Sequence, residues 1–237
     1  MAEQPPEMIA FASPHLQVAG VDISKTMIEY ASARSRTQRL TNTSFGIIDI
    51  MHPMDFSENT FDLVNARFIN GVLRRDAWLP LLSECWRILR PGGLLRLTEM
   101  VDVGVSNSLA FERMNAWLSK AMWTLGYGFS PDGNNLGITP MLSRLLRTSG
   151  YTAIQRAAHT LEFSAEEGAW TDFYRNAEVG YRMATPVFVN TGMATHEEVE
   201  QCYHQMLMEM HAATFCGLWD FVTVWGKKDA IPYDVEK

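Results

Sequence analysis

Residues 15–22, HLQVAGVD, constrain this chain more than any other segment. A short apolar run that ends on an acidic residue and opens into Ile-Ser-Lys reads as a strand delivering a carboxylate to the edge of a sheet. In doubly wound α/β domains such an acid follows the second strand and takes ribose hydroxyls. It comes about 20 positions after a glycine-rich turn whose N–H groups cradle the anionic end of the ligand. Here Asp22 is the candidate acid, and no candidate turn precedes it: residues 1–14, MAEQPPEMIAFASP, contain no glycine. Every reading of the chain has to accommodate that gap.

Downstream of Asp22 the pattern alternates strands and helices. Ser24 is placed to cap a helix over residues 25–34. A strand over 44–48 (SFGII) ends on Asp49, and another over 61–64 (FDLV) follows a turn-like Ser57-Glu58-Asn59-Thr60. Apolar residues at helical spacing predict a helix over 76–89, broken by Arg90-Pro91-Gly92-Gly93 ahead of a strand over 94–97. Strands separated by helical patterns imply βαβ units and a mostly parallel sheet. From residue 106 the pattern changes. Helices are expected over 109–125, over 139–148 (Thr139 as N-cap, Pro140 first inside, Gly150 at the end), over 165–181 and over 196–215. Strands are expected over 151–163 and 219–226, with a polar tail from Asp229.

Composition narrows the partners. With 27 acidic against 20 basic residues and a net charge of −7, the chain lacks the basic stripe that nucleic-acid binding needs. No apolar run reaches the length of a membrane span, and residues 1–14 lack the basic and apolar regions of a signal peptide, so a cytoplasmic protein is expected. Cys85, Cys202 and Cys216 are an odd count without metal-ligand spacing and read as small apolar residues; no metal is expected.

Three stretches together resemble the class I S-adenosylmethionine-dependent methyltransferases, in particular the small-molecule type related to ubiquinone- and menaquinone-biosynthesis enzymes. They are VAGVDIS (18–24), IIDIMHPMDFSENTFDLVNARFINGVL (47–73) and LLSECWRILRPGGLLRLTE (81–99). The resemblance implies an α/β, Rossmann-like doubly wound sheet, N-terminally incomplete, with a helical lid inserted before the last strand and an antiparallel terminal hairpin. It implies S-adenosylmethionine as cofactor and a small, largely apolar methyl acceptor as partner. Asp22 would accept the ribose hydroxyls and Ile23 would pack on the adenine. Asp49 would receive the adenine amino group, with Ile50 at the ring's other edge. Asn65, Ala66 and Arg67 would lie near the methionine part and the acceptor. Read on their own, Asp22 also suits a helix cap, Asp49 a strand-end turn, and Arg67 an ion pair with Asp62 or Asp76.

The organisation that follows is an incomplete cofactor-binding core over 1–105, a helical lid or acceptor region over 106–218 that includes the strand near 151–163, and a terminal core strand over 219–228. The Met and Trp residues of the second half first suit a core. The run Gln205–His211 could equally line an apolar acceptor pocket. His159, Tyr174 and His211 are candidates for taking a proton from the acceptor, with Tyr181, His204 and Glu99 as further polar groups.

Three readings accommodate the gap. Residues 7–13 could be the end of the family's first helix, the missing strand and loop lying upstream of the given start. The fold could instead be a degenerate methyltransferase that binds a small molecule, serves a partner or reuses its pocket. A nicotinamide dehydrogenase leaves the Pro-Gly-Gly block and the terminal hairpin unexplained. In the family's sheet the missing strand is central, and buried unpaired N–H and C=O groups cost about 1–3 kcal/mol each. A stable short form then needs direct pairing of the flanking strands, a homodimer or a strand donated by a partner. Loss of the glycine loop predicts weak S-adenosylmethionine binding or none.

Overall fold

The computed structural model describes residues 10–229. They divide into two compact units, one ending at Phe56 and one beginning at Ser57.

In the first unit residues 10–12 are helical, which is the described part of the helix end expected over 7–13; residues 7–9 lie outside the described residues. Strand β1 (Val18–Asp22), helix α1 (Lys25–Thr37) and strand β2 (Thr43–Ile47) follow. Ser24 caps α1 as expected, its hydroxyl accepting from the Met27 N–H. The two strands pair in parallel with Asp22 opposite Ile47. Buried Asn42 ties the unit together: its amide donates to the carbonyls of Ala10 at 3.1 Å and Leu16 at 2.8 Å, which fixes the helix end against the entry to β1.

The second unit holds β3 (Phe61–Arg67), α2 (Trp78–Ile88), β4 (Leu89–Met100), β5 (Val105–Ser106), α3 (Leu109–Thr124), α4 (Thr139–Thr148), β6 (Thr152–Glu162), α5 (Trp170–Asn190), α6 (His196–Met210) and β7 (Gly217–Lys227). β3 and β4 run parallel, while β7 is antiparallel to β4 on one side and to β6 and β5 on the other. The expected antiparallel terminal pair is therefore present as β6 and β7. β1 belongs to a two-stranded sheet, and β3 ends the larger one, so each keeps an edge without a strand among the described residues. Among the described residues β1 pairs with β2 and β3 with β4.

Several expected boundaries move. The Arg90–Gly93 segment does not precede its strand but bulges within β4: Phe61 pairs with Leu89 and Leu63 already with Leu94. Gly92 sits at a φ of +81°, and a Cβ on Gly93 would lie 2.9 Å from the Arg90 carbonyl, so glycines are needed at both places. Thr139 is the first residue inside α4 rather than its cap; Ile138 holds the cap position without a side-chain bond. The helix expected over 165–181 is shifted, beginning at Trp170 and running through Pro186 to Asn190, and the one expected over 196–215 stops at Met210. The tail beyond Asp229 lies outside the described residues.

Helices α3, α5 and α6 share one core with Phe163 and Phe215, in which Phe111, Met114, Phe188, Met206 and Met210 are fully buried. That arrangement splits the methionine run. Met206 and Met210 face the core, whereas Met208 is 62% exposed, so the run is not one pocket wall.

Candidate functional site

In the first unit the parallel register brings the ends of β1 and β2 to one edge. The Ile48 N–H bonds the Asp22 carbonyl at 3.0 Å, and Asp49 leaves that edge one residue later. Asp22 Oδ1 accepts from the Ser24 N–H at 2.8 Å, the bond of an acid at a helix entry. Its Oδ2 has no partner among the described residues, so the side chain can cap and still receive a hydroxyl. Next to it Ile23 is 67% exposed, a large apolar face directly after a carboxylate. Asp49 is more occupied. Oδ1 accepts from the Met51 N–H at 2.9 Å and Oδ2 lies 3.0 Å from His52 Nδ1, so any incoming amino group must share an oxygen already in use. Ile50 is half-buried beside it.

In the second unit the C-terminal ends of β3 and β4 form another edge. Asn65 Oδ1 accepts from Arg96 Nη1 at 3.0 Å, a structural bond that leaves the Asn65 amide hydrogens for other partners. The Arg67 guanidinium stands over the Phe68 ring, 4.3 Å from its centroid. The ion pairs suggested for Arg67 form elsewhere: Asp62 pairs with Arg90 and Asp76 with Arg74. Phe68 adopts a left-handed backbone (φ 55°), sparsely populated for an aromatic residue, and its ring packs on Trp219 at 5.5 Å and Phe221 at 5.4 Å. This aromatic wall continues through Trp219 to Phe173 at 5.3 Å.

Glu99 holds the Phe68 turn from below. Its Oε1 accepts from the N–H groups of Ile69 at 2.8 Å and Asn70 at 3.2 Å, while Oε2 is buried without a partner, as is Asn70 Oδ1. Burial pushes the Glu99 carboxyl up to about 7 against the pull of those two N–H bonds. Glu99 is among the polar groups named from the sequence, and strand alternation accounts for its burial, since Leu95, Leu97 and Glu99 share the inward face of β4. Phe68 has no such signal, because nothing in an aromatic side chain announces a left-handed backbone. Near the same wall, Asp102 accepts from Ser119 Oγ at 3.3 Å while its carbonyl takes the Trp219 indole N–H at 3.0 Å; burial raises its carboxyl above the usual range. The Tyr181 hydroxyl is buried, donates to Asn115 Oδ1, and is pushed up by burial and then by the nearby Asp102 charge. It is bound into the core rather than free to take a proton.

The proton-transfer candidates separate. Tyr174 and His211 meet, with ring centroids 4.5 Å apart, and both pack on Trp170. His159 stands apart from that cluster, exposed on β6 opposite Phe221. His204 is exposed and lies near Glu200 on its own helix.

Residues 7–93 match the family model of a methyltransferase domain. The chain is 30% identical over 94 residues to the methyltransferase GfsG of Streptomyces halstedii, which covers 39% of this chain and 33% of that protein. It is 30% identical over 80 residues to a demethylmenaquinone methyltransferase of a Geobacillus species, covering 34% of this chain and 33% of the other. It thus spans about a third of the length of each of these relatives. Among solved structures, YcgJ from Bacillus subtilis superposes over 94% of this chain and 87% of its own, with a TM-score of 0.54 and 16% identity. The fold is that of the Rossmann-like methyltransferases.

Proposed function

We propose, from the class I S-adenosylmethionine-dependent methyltransferase fold and family match of this chain, that it transfers a methyl group to a small, largely apolar acceptor. The observation that carries this reading is the edge at Asp22, where a carboxylate oxygen without a partner among the described residues adjoins an isoleucine 67% exposed. That pairing fits the sugar and base of a nucleoside: an acceptor for hydroxyls beside an apolar plate. Asp49 adds a second carboxylate on the same edge. When bound, S-adenosylmethionine supplies an electrophilic methyl group. Asp22, Ile23, Asp49 and Ile50 would hold its nucleoside part.

The chain's own contribution to the reaction is orientation and exclusion of water, since an in-line displacement gains most from a fixed, dry approach. The wall of Phe68, Trp219 and Phe221 supplies an apolar surface for the acceptor, and Glu99 fixes the turn that carries Phe68. Asn65 and Arg67 give that edge its polar groups. Residues 106–218 serve as the acceptor region. Of the three proton-transfer candidates, Tyr174 and His211 are the better supported, because they form one cluster and His159 stands alone.

Calorimetric titration with S-adenosylhomocysteine tests the reading. Weak but saturable binding is expected, and Asp22→Ala should weaken it further by at least about tenfold, since a hydrogen bond to a charged group contributes about 1.5–3 kcal/mol. Unchanged affinity in the variant would reject the assigned ribose contact. A second reading rests on residues 1–14, which contain no glycine to cradle the anionic end of the cofactor. If the folded chain binds no cofactor, a small-molecule binding protein with a repurposed pocket takes precedence.

A further inference from the structure

The face of the sheet formed by β6 and β7 carries a groove of about 780 Å³ beneath α4, lined by Arg144, Arg147 and Arg156 and by no acidic residue. Arg144 and Arg147 lie three apart on α4 and so project to one side of the helix. Arg156 pairs with Val224 on the adjacent strand, so its side chain shares a sheet face with Val224 and with Val222. All three arginines are exposed, and among the described residues none makes an ion pair or a side-chain hydrogen bond. Elsewhere in this acidic chain arginines find carboxylates readily: Arg87 with Glu84, Arg90 with Asp62, Arg182 with Glu200. Three guanidiniums left together in one concavity of a chain with net charge −7 repel one another and lower that repulsion by binding an anion.

We propose that this groove binds a small organic phosphate. Guanidinium forks match phosphate oxygens two at a time, which a lone surface charge does not. The hydroxyls of Thr139 and Ser143 line the same groove and can donate to the remaining oxygens. Its floor, at Val222 and Val224, is apolar and takes the organic part. The volume lies within the range of small-molecule sites, about 300–1,000 Å³. The site lies entirely within the second unit, mostly in the 106–218 region, but shares none of the side chains named above for contact with cofactor or acceptor, so it stands independently of those contacts.

Phenyl phosphate and inorganic phosphate, titrated into the full chain at constant ionic strength, test the proposal. Phenyl phosphate should bind saturably and about fivefold or more tighter than inorganic phosphate, because only it reaches the valine floor. Arg144→Gln, Arg147→Gln and Arg156→Gln combined should weaken both at least about tenfold while leaving the unfolding midpoint without ligand unchanged. Asp22→Ala should leave both affinities as they are, which separates this site from the nucleoside edge. Binding that survives the triple substitution, or that phenol reproduces, would overturn the proposal. So would a dimer in sedimentation that the triple variant dissociates, since the groove would then be a subunit interface.

Discussion

Replacing Gly217 with alanine is expected to destabilise the protein by about 3–5 kcal/mol, as much as deleting a buried phenylalanine ring. The usual expectation has the opposite sign: glycine to alanine at an ordinary backbone position stabilises by about 0.4–1 kcal/mol through the unfolded state. Here a Cβ would meet three atoms of the Phe163 ring at 2.2, 2.5 and 2.7 Å. That ring cannot step aside. It is fully buried, stacked on Phe173 with centroids 3.6 Å apart, and flanked by Phe111 and Phe215 at 5.9 Å each. Gly217 is also clamped on both sides, its N–H on Ser164 Oγ and its carbonyl accepting from the Phe163 N–H. Either the first residue of β7 moves or the ring leaves the core joining α3, α5 and α6. Urea unfolding of Gly217→Ala, Phe163→Ala and the double variant distinguishes this from simple additivity. With the ring gone the added methyl has space, so the double variant should be about as stable as Phe163→Ala alone. A Gly217→Ala protein within about 1 kcal/mol of the parent would show that the ring yields.

The same packing explains which parts of the fold could be read in advance. Alternating strand and helix patterns located six of the seven strands among the described residues, because apolar periodicity and turn residues are local signals. Ser24 was legible as a cap for the same reason: its hydroxyl acts on a group three residues away. The two-residue strand β5 was not legible, since it pairs with Leu218 and Gly217, more than 100 residues on. Nor was the passage of α5 through Pro186, where a proline interior to a helix forfeits a hydrogen bond and costs about 3 kcal/mol. Burial of Tyr181, Thr185 and Phe188 on either side of it outweighs that cost, and no local pattern contains this information. The candidate site divides likewise. Asp22 and Asp49 end strands and stand out in the sequence, but the partners that already occupy Asp49 come from its own turn. Phe68 and the Glu99 bond beneath it join segments about 30 residues apart.

Glu99 makes stability fall as pH rises toward neutrality, and Glu99→Gln is expected to remove that contribution. The carboxyl ionises in the unfolded chain near its ordinary value of 4.5 and in the folded protein at about 7. Between those two values the folded state holds a proton that the unfolded state has released, so unfolding becomes easier as pH rises. The contribution of this group is complete below about pH 4.5, falls through the interval and is gone above about pH 7. A shift of that size corresponds to about 3 kcal/mol, which is large beside a domain stability of about 5–15 kcal/mol. The physical origin is the Oε2 atom, which is buried without a donor, so that the charge is stabilised at Oε1 alone. Glutamine keeps an oxygen to accept from Ile69 and Asn70 and carries no charge at any pH. Urea midpoints of parent and variant measured from pH 5 to 8.5 should nearly coincide at the acidic end and separate as pH rises, with the variant the more stable above pH 7. Parallel profiles would show that Glu99 does not titrate in this window. Because Glu99 holds the turn carrying Phe68, its ionisation places a charge beneath the aromatic wall proposed for the acceptor. Activity that falls above pH 7 in the parent and persists in the variant would tie that turn to acceptor binding, and a fall shared by both would assign the pH dependence to another group.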